Sequence, residues 1–201
     1  MTKIKICGLR RPEDTAYANN CLPDYAGFVF ADSKRRIDGE TAKRLREALD
    51  PRIETVGVFL NQPVEFVAEL FRQGVIGLIQ LHGDEDAEYR ERLRALTSVR
   101  IIQAVGVGET LPILPTGPDY LLFDKASPRR GGSGRAFDWR VLEQYQGGPF
   151  FLAGGLGVEN VEAAIRLLHP YCVDVSTGVE TEGRKDNGQM EAFVNLVRRM
   201  H

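Results

Sequence analysis

The sequence predicts an α/β fold, a single-domain (β/α)8 TIM barrel over residues 1–201. Short runs rich in Val, Ile, Leu and Phe alternate with longer segments of helical period, which is typical of a parallel sheet covered by helices. Eight such units share the 201 residues. Each unit therefore has about 25 residues, close to the minimum for this barrel. No segment has the composition of a linker between domains.

Eight runs are predicted to be strands, each followed by enough chain for a helix. They cover residues 3–7, 25–30, 54–60, 77–81, 100–105, 120–124, 150–153 and 172–176. An open, doubly wound sheet is the alternative, because periodicity alone does not show that a sheet closes. The number of units favours the barrel.

Apolar residues at helical spacing predict helices between the strands. The stripes consist of Ala42, Leu45 and Leu49, of Val158, Val161, Ile165 and Leu168, and of Met190, Phe193, Val194 and Val197. Pro12, Pro63 and Asp138 stand where three further helices are expected to begin. A helix is thus expected after every strand.

Composition excludes several classes of protein. A net charge of −2 argues against nucleic acid or a membrane surface as the main partner. No apolar run approaches the roughly 18 residues of a membrane span. Three scattered cysteines, Cys7, Cys21 and Cys172, are too few for a disulfide framework or a metal cage. We therefore expect a cytoplasmic protein without a bound metal.

Glycine is concentrated after the predicted strands, where such barrels carry their chemistry. Gly154-Gly155 follow the seventh strand and Thr177-Gly178 follow the eighth. Glycines let backbone N–H groups approach a ligand, and a helix N-terminus adds positive charge, so this pair of loops predicts a phosphate site. Tight turns without a ligand are the alternative.

Pairs of arginines lie in three of the same loops. Arg10-Arg11, Arg35-Arg36 and Arg129-Arg130 follow strands one, two and six. Three cationic loops around one mouth would attract a doubly anionic small molecule. Either Arg35 or Arg36 is suited to a bidentate contact with a carboxylate. A solvated surface is the alternative for each arginine alone.

Two ionisable side chains end strands of the predicted barrel. Cys7 ends the first strand and Asp124 the sixth. A thiolate removes a carbon-bound proton and a protonated carboxyl delivers one, so the pair predicts acid–base chemistry. Packing is the alternative role for Cys7, and ordering of the polar loop 125–135 is the alternative for Asp124. His82 is expected at the mouth or at the start of a helix.

Motifs in a specific order run through nearly the whole chain. They are KICGL at 5–9, GFVF at 27–30, SKR at 33–35, QLHG at 80–83, LFD at 122–124, GGSG at 131–134, FDW at 137–139, LAGGL at 152–156 and DVSTGVE at 174–180. Together they resemble the phosphoribosylanthranilate isomerase family, barrel enzymes of tryptophan biosynthesis that need no cofactor.

The resemblance implies an Amadori rearrangement of N-(5′-phosphoribosyl)anthranilate to 1-(2-carboxyphenylamino)-1-deoxyribulose 5-phosphate. It implies that Asp124 protonates the furanose ring oxygen, that Cys7 removes the proton from C2′, and that Arg35 holds the anthranilate carboxylate. It implies that the phosphate is bound by Gly154, Gly155, Thr177 and Gly178. It also implies that Asp174 makes a contact near the anthranilate. The expected partner is this small molecule, in a monomer or homodimer.

Two positions depart from the family pattern. Thr177 stands where serine is more common and keeps the hydroxyl. Arg36 replaces an apolar or aromatic residue, which leaves the choice between Arg35 and Arg36 open, with Arg35 favoured by spacing.

Other phosphosugar barrel enzymes are the nearest alternatives, among them indole-glycerol-phosphate synthases, bifunctional histidine/tryptophan isomerases and pentose-phosphate epimerases. A histidine-pathway isomerase is expected to have aspartate where Cys7 stands, and a metal-dependent epimerase needs His and Asp ligands on successive strands. A catalytically silent phosphate-binding protein is the alternative from another class. The presence of Cys7, Asp124 and Arg35 at three strand ends argues against it.

Overall fold

The computed structural model describes residues 1–126 and 137–200, in which eight parallel strands close into a barrel. The strands are β1 (Lys3–Cys7), β2 (Tyr25–Val29), β3 (Glu54–Phe59), β4 (Leu78–Leu81), β5 (Arg100–Val107), β6 (Tyr120–Lys125), β7 (Phe150–Leu152) and β8 (Cys172–Val175). Strand β8 pairs with β1 from Lys3↔Cys172 to Ile6↔Val175, which closes the sheet. The barrel prediction is therefore confirmed, and the open sheet is excluded.

Six α-helices in the described part of the chain surround the barrel. They are α1 (Pro12–Cys21), α2 (Gly39–Ala48), α3 (Val64–Arg72), α4 (Ala87–Leu96), α5 (Val161–Leu168) and α6 (Asn187–Arg198). Local signals start them: Pro12 opens α1, and the carboxylates of Asp38, Asp86 and Asp186 accept hydrogen bonds from backbone N–H groups in the first turns of α2, α4 and α6. None of the helices in the described ranges has the length and apolar character of a membrane span.

The expectation of a helix after every strand is wrong after β5. Residues 108–119, between β5 and β6, contain no helix. Pro112 and Pro115 interrupt this segment, and proline removes a backbone donor and clashes with the preceding helical turn. Of the described residues between β6 and β7, Trp139–Gln144 form a short 3-10 helix, whose first turn is capped by Asp138.

A two-stranded hairpin that the sequence analysis did not predict follows β8. It consists of β9 (Glu180–Thr181) and β10 (Arg184–Lys185), which pair antiparallel. Glu182 and Gly183 connect them with φ angles of 52° and 72°. Positive φ at both central residues is the conformation that suits a two-residue hairpin turn.

Alternation of side chains along the strands divides the barrel interior into two layers. The lower layer, toward the amino ends of the strands, consists of Tyr25, Val56, Leu78, Ile102, Leu122, Phe151 and Cys172. Two residues further along five of these strands, the upper layer presents Val58, Gln80, Asp124, Ala153 and Asp174. The same strands thus fill the lower half of the barrel and line a cavity above it.

Candidate active site

A cavity of about 360 Å³ opens at the carboxyl ends of the strands. Every residue to which the family resemblance gives a catalytic or binding role lines it. They are Cys7, Arg35, Asp124, Gly154, Gly155, Asp174, Thr177 and Gly178. His82 lies there too, as expected for the mouth, together with Gln80, which the sequence analysis did not assign a role.

Cys7 is the last residue of β1 and lies in register with Gly27 of β2. A Cβ atom on Gly27 would lie 2.8 Å from the Sγ atom of Cys7, so glycine provides the space that the thiol occupies. Burial raises the pKa of Cys7 above its ordinary value of 9.0, although the positive charges of Lys5 and Lys185 act in the opposite direction. Desolvation therefore outweighs the cations around this thiol.

Asp124 projects from β6 into the upper layer. Its Oδ1 atom accepts a hydrogen bond of 2.7 Å from the backbone N–H of Lys125, and its Oδ2 atom lies 3.6 Å from Nε2 of His82. Burial raises the pKa of Asp124 above its ordinary value of 3.8, while the bond from Lys125 and the charge of Lys5 lower it. Burial thus increases the fraction of this carboxyl that holds a proton.

A buried ion pair includes Asp174, which lines the cavity. Lys5 and Asp174 are paired in register on β1 and β8, and the Nζ atom of Lys5 lies 2.8 Å from Oδ2 of Asp174. The Lys5 side chain is 0% exposed. The other carboxylate oxygen of Asp174, Oδ1, is buried and accepts no hydrogen bond from any described residue. A buried acceptor without a partner is uncommon in proteins and calls for an explanation.

The two arginines after β2 face different spaces. Arg35 lines the cavity, where its guanidinium pairs with Glu180 through two hydrogen bonds of 2.7 Å. Arg36 lines a separate surface groove together with Arg10 and Arg11. The expectation that all these cations surround one mouth is therefore wrong, and of the two only Arg35 is placed to contact a ligand in the cavity.

The loops after β7 and β8 meet beside the cavity. Gly154 and Gly155 have φ angles of 87° and 76°, which favour glycine. A Cβ on Gly154 would lie 3.0 Å from Oδ1 of Asp124, so this loop passes close to the carboxyl. Asn160 braces the loop, accepting from the N–H of Gly157 and donating to the carbonyl of Gly155, both at 2.9 Å.

The same loop is joined to the loop after β8 and leads into a helix. A parallel bridge connects Gly157 with Gly178. Helix α5 then begins at Val161, and its N-terminus carries the positive end of the helix dipole. Two glycine-containing loops and a helix start thus converge on one side of the cavity.

Some predicted features lie outside the described residues. These are the pair Arg129-Arg130, most of loop 125–135, and the glycines of the GGSG motif. Within residues 1–126 and 137–200, no group of three or more His, Cys, Asp or Glu side chains is arranged to hold a metal ion.

Three buried charged residues near the cavity were not predicted. They are Lys5, Glu180 and Lys185. For Lys5 a signal was present, because a lysine within a buried strand needs an anionic partner. The partner, Asp174, is far along the chain and was not identifiable from local spacing.

Comparison with known proteins decides the family. A model of the family described as N-(5′-phosphoribosyl)anthranilate (PRA) isomerase matches residues 4–196. The chain belongs to this family. The N-(5′-phosphoribosyl)anthranilate isomerase of Endomicrobium trichonymphae is 46% identical over 199 residues, which cover 98% of this chain and 99% of that protein. The isomerase family acts in tryptophan biosynthesis.

Solved structures of the family agree with this fold. The phosphoribosyl anthranilate isomerase of Thermus thermophilus superposes with a TM-score of 0.87 at 33% identity, covering 100% of both chains. A phosphoribosyl anthranilate isomerase in complex with reduced 1-(o-carboxyphenylamino)-1-deoxyribulose 5-phosphate superposes with a TM-score of 0.83 at 31% identity, over 99% of this chain and 100% of that one. Monomers generated from the dimeric enzyme of Thermotoga maritima give a TM-score of 0.82 at 30% identity, over 99% and 100%.

Proposed function

We propose that the cavity catalyses the Amadori rearrangement of N-(5′-phosphoribosyl)anthranilate, with Asp124 as general acid and Cys7 as general base. The observation that carries the proposal is that both groups and the two anion-binding regions line one cavity. An aldose-to-ketose shift opens one ring and moves one carbon-bound proton. It therefore needs one acid, one base and an anchor for each anionic end of the substrate.

The substrate is held at its two ends. Its phosphate lies against the glycine loops, where Gly154, Gly155, Thr177 and Gly178 offer backbone N–H groups and one hydroxyl close to the start of α5. Its anthranilate carboxylate binds Arg35. This arrangement places the sugar between the two anchors, over the upper layer of the barrel.

Asp124 begins the reaction. In its protonated form it donates to the furanose ring oxygen, the C1′–O bond breaks, and the nitrogen lone pair forms the C=N bond of a protonated Schiff base. The raised pKa of Asp124, caused first by burial, increases the fraction of the carboxyl that can donate. Because Gly154 passes close to Oδ1, a phosphate bound at this loop keeps the attached sugar near the carboxyl.

Cys7 completes the reaction. Its thiolate takes the proton from C2′, and the electrons of that C–H bond form the C1′–C2′ double bond of an enolamine while the C=N electrons return to nitrogen. The enolamine then tautomerises to the ketose. Lys5 and Lys185 support the thiolate against the cost of burial. Asp174 accepts a hydrogen bond near the anthranilate through its unpaired Oδ1 atom.

The experiment that tests this function supplies enzymatically generated phosphoribosylanthranilate and follows the loss of its fluorescence. A loss well above the uncatalysed rate is expected. A rate equal to the background would contradict the proposal.

We also infer that the protein acts in the cytoplasm as a monomer or a homodimer. The low cysteine content supports a reducing compartment, and a dimeric relative with this fold supports the second assembly. Light scattering on the eluting protein measures its mass; a trimer or larger assembly would contradict the inference. Cell fractionation with the activity as marker tests the compartment, and activity confined to a membrane or secreted fraction would overturn it.

A further inference from the structure

The guanidinium of Arg35 is held from one side by a buried carboxylate. Nε of Arg35 donates to Oε1 of Glu180 and Nη2 donates to Oε2, both at 2.7 Å. Nη2 also donates to Oγ1 of Thr177 at 3.1 Å. Two parallel bonds fix the plane of a guanidinium as well as its position. The Glu180 side chain is only 4% exposed, so water competes weakly for these bonds.

One edge of the same guanidinium stays open. The bonds to Glu180 and Thr177 use Nε and Nη2, and no residue in the described ranges accepts a hydrogen bond from Nη1. The stem of Arg35 is fixed as well: a Cβ on Gly8 would lie 2.5 Å from its Cδ atom, so the stem crosses the bare backbone of that glycine. Arg35 therefore carries two unused donors on a constrained side chain that lines the cavity.

Glu180 is itself held in place by the hairpin β9–β10. Lys185 lies opposite Glu180 in the hairpin register, and its Nζ atom donates to Oε1 of Glu180 at 2.8 Å and to the carbonyl of Ser176 at 2.9 Å. The Lys185 side chain is 1% exposed. Burial alone would raise the pKa of Glu180, but Arg35 and Lys185 bring it down to about 2. The residue is therefore a carboxylate at neutral pH.

We propose that Glu180 is a positioning residue that gives the site its preference for a substrate carboxylate. By occupying Nε and Nη2 of Arg35, it leaves Nη1 as the donor for the ligand and spares the ligand the entropy cost of ordering a long side chain. Lys185 keeps Glu180 in place. The inference rests on the proposed function, because it takes Arg35 as the partner of the anthranilate carboxylate. Loss of Glu180 is therefore expected to weaken recognition of the carboxylate and not the proton transfers.

A pair of ligands isolates the contribution of the carboxylate. Calorimetry measures the Kd of reduced 1-(o-carboxyphenylamino)-1-deoxyribulose 5-phosphate and of the same molecule without its carboxyl group. For the wild-type chain we expect the carboxyl to tighten binding roughly 10- to 100-fold, as a hydrogen-bonded charge pair does. In Glu180→Gln this ratio is expected to fall about tenfold, with binding of the ligand that lacks the carboxyl unchanged.

Two further variants make the result specific. Glu182→Gln removes the same charge from the exposed turn of the same hairpin and is expected to keep the wild-type ratio. Arg35→Met is expected to abolish the advantage of the carboxyl. If Arg35→Met abolishes it and Glu180→Gln keeps it, the positioning role is overturned while the proposed function stands. If Arg35→Met keeps it, Arg35 does not bind the carboxylate, and the inference falls with that assignment.

A measurement on the wild-type chain covers the case in which Glu180→Gln does not fold. Hydrogen exchange of the arginine Nε–H groups is followed by nitrogen-15 NMR, and the Arg35 signal is identified by its absence in Arg35→Met. We expect it to exchange at least about ten times more slowly than that of exposed Arg36. Equal exchange rates would show that Glu180 does not hold Arg35 in solution.

Discussion

The two layers of the barrel interior are built on the same strands and differ in whether their buried polar groups have hydrogen-bond partners. In the lower layer, apolar side chains fill the space, and the hydroxyl groups of Tyr25 and Tyr171 meet at 3.0 Å beneath it. In the upper layer, two buried acceptors, Oδ1 of Asp174 and Oε1 of Gln80, receive no hydrogen bond from the described residues. Unsatisfied buried acceptors are costly for stability. The lower layer therefore stabilises the barrel. The upper layer lowers the stability, because its acceptors have no partner among the described residues, and it leaves them open to a ligand.

Asp124→Asn is the strongest test of the upper layer. The amide cannot deliver a proton to the ring oxygen, so we expect kcat to fall by at least about 100-fold with little change in the unfolding midpoint. Steady-state kinetics and thermal unfolding check this. Asp32→Asn, which removes a charge from the exposed rim of the same cavity, is the matched control and should change kcat less than about threefold. Near-normal turnover of Asp124→Asn would contradict the proposal that Asp124 is the general acid.

The same chemical change in both layers separates them directly. Cys7→Ser is expected to lower kcat at least about 100-fold and to leave folding intact, because a hydroxyl is a far weaker base than a thiolate. Cys172→Ser buries a hydroxyl in the lower layer, where Cys172 is 0% exposed, and is expected to lower stability by about 1–3 kcal/mol while keeping kcat. If both variants lost kcat, or if both lost stability, the division between the layers would be wrong.

Phe151→Ala tests the lower layer by removing its bulk. The ring is 0% exposed and contacts the rings of Tyr25 and Tyr120. Truncating a phenylalanine in such a position costs about 3–5 kcal/mol. Denaturant unfolding measures this loss. The kcat of the fraction that remains folded should stay near the wild-type value, and a large fall in it would show that the upper layer depends on the packing below.

Arg35→Met is expected to affect binding more than chemistry. We expect KM to rise roughly 10-fold or more, since one charge-assisted contact to the carboxylate is lost, and kcat to change less. Arg36→Met is the control from the neighbouring surface groove and should leave both constants near normal. Unchanged KM and kcat in Arg35→Met would transfer the role to another residue.

The smallest effect is in the pH dependence. In the proposed mechanism the reactive form holds a proton on Asp124 and none on Cys7, although the ordinary pKa of the carboxyl, 3.8, lies far below that of the thiol, 9.0. A pair with this order gives a plateau in kcat/KM, lost on the acid side near the pKa of Asp124 and on the alkaline side near that of Cys7. Because burial raises both pKa values, both limbs should lie above the ordinary values. Limbs below them would contradict the assignment.

The strands were predictable because a buried parallel strand is a continuous apolar run. The missing helix between β5 and β6 was not predicted, although Pro112 and Pro115 are strong signals against one. The hairpin β9–β10 was missed because its strands have two residues each and no apolar pattern. Only the turn at Glu182-Gly183 marked it.

Within the site, the lining residues were predictable and their partners were not. Strand ends converge at one face of a barrel, so Cys7, Asp124 and Asp174 share one cavity. The pairings Lys5–Asp174 and Arg35–Glu180 join distant parts of the chain. They depend on strand register and on the hairpin, neither of which the local pattern of the sequence specifies.

Because Gly27 has no side chain beside the thiol of Cys7, the residue at position 7 of β1 depends on the residue at position 27 of β2. Any side chain at position 27 would displace the sulfur atom, so the thiol of Cys7 on β1 keeps this position only while β2 keeps its glycine. A larger side chain in place of Cys7, such as one with a carboxylate, would also need the space beside Gly27. Variants of this barrel intended to rearrange other phosphorylated aldoses should therefore keep Gly27 and change residues of the rim, where Asp32 and Ser33 are exposed.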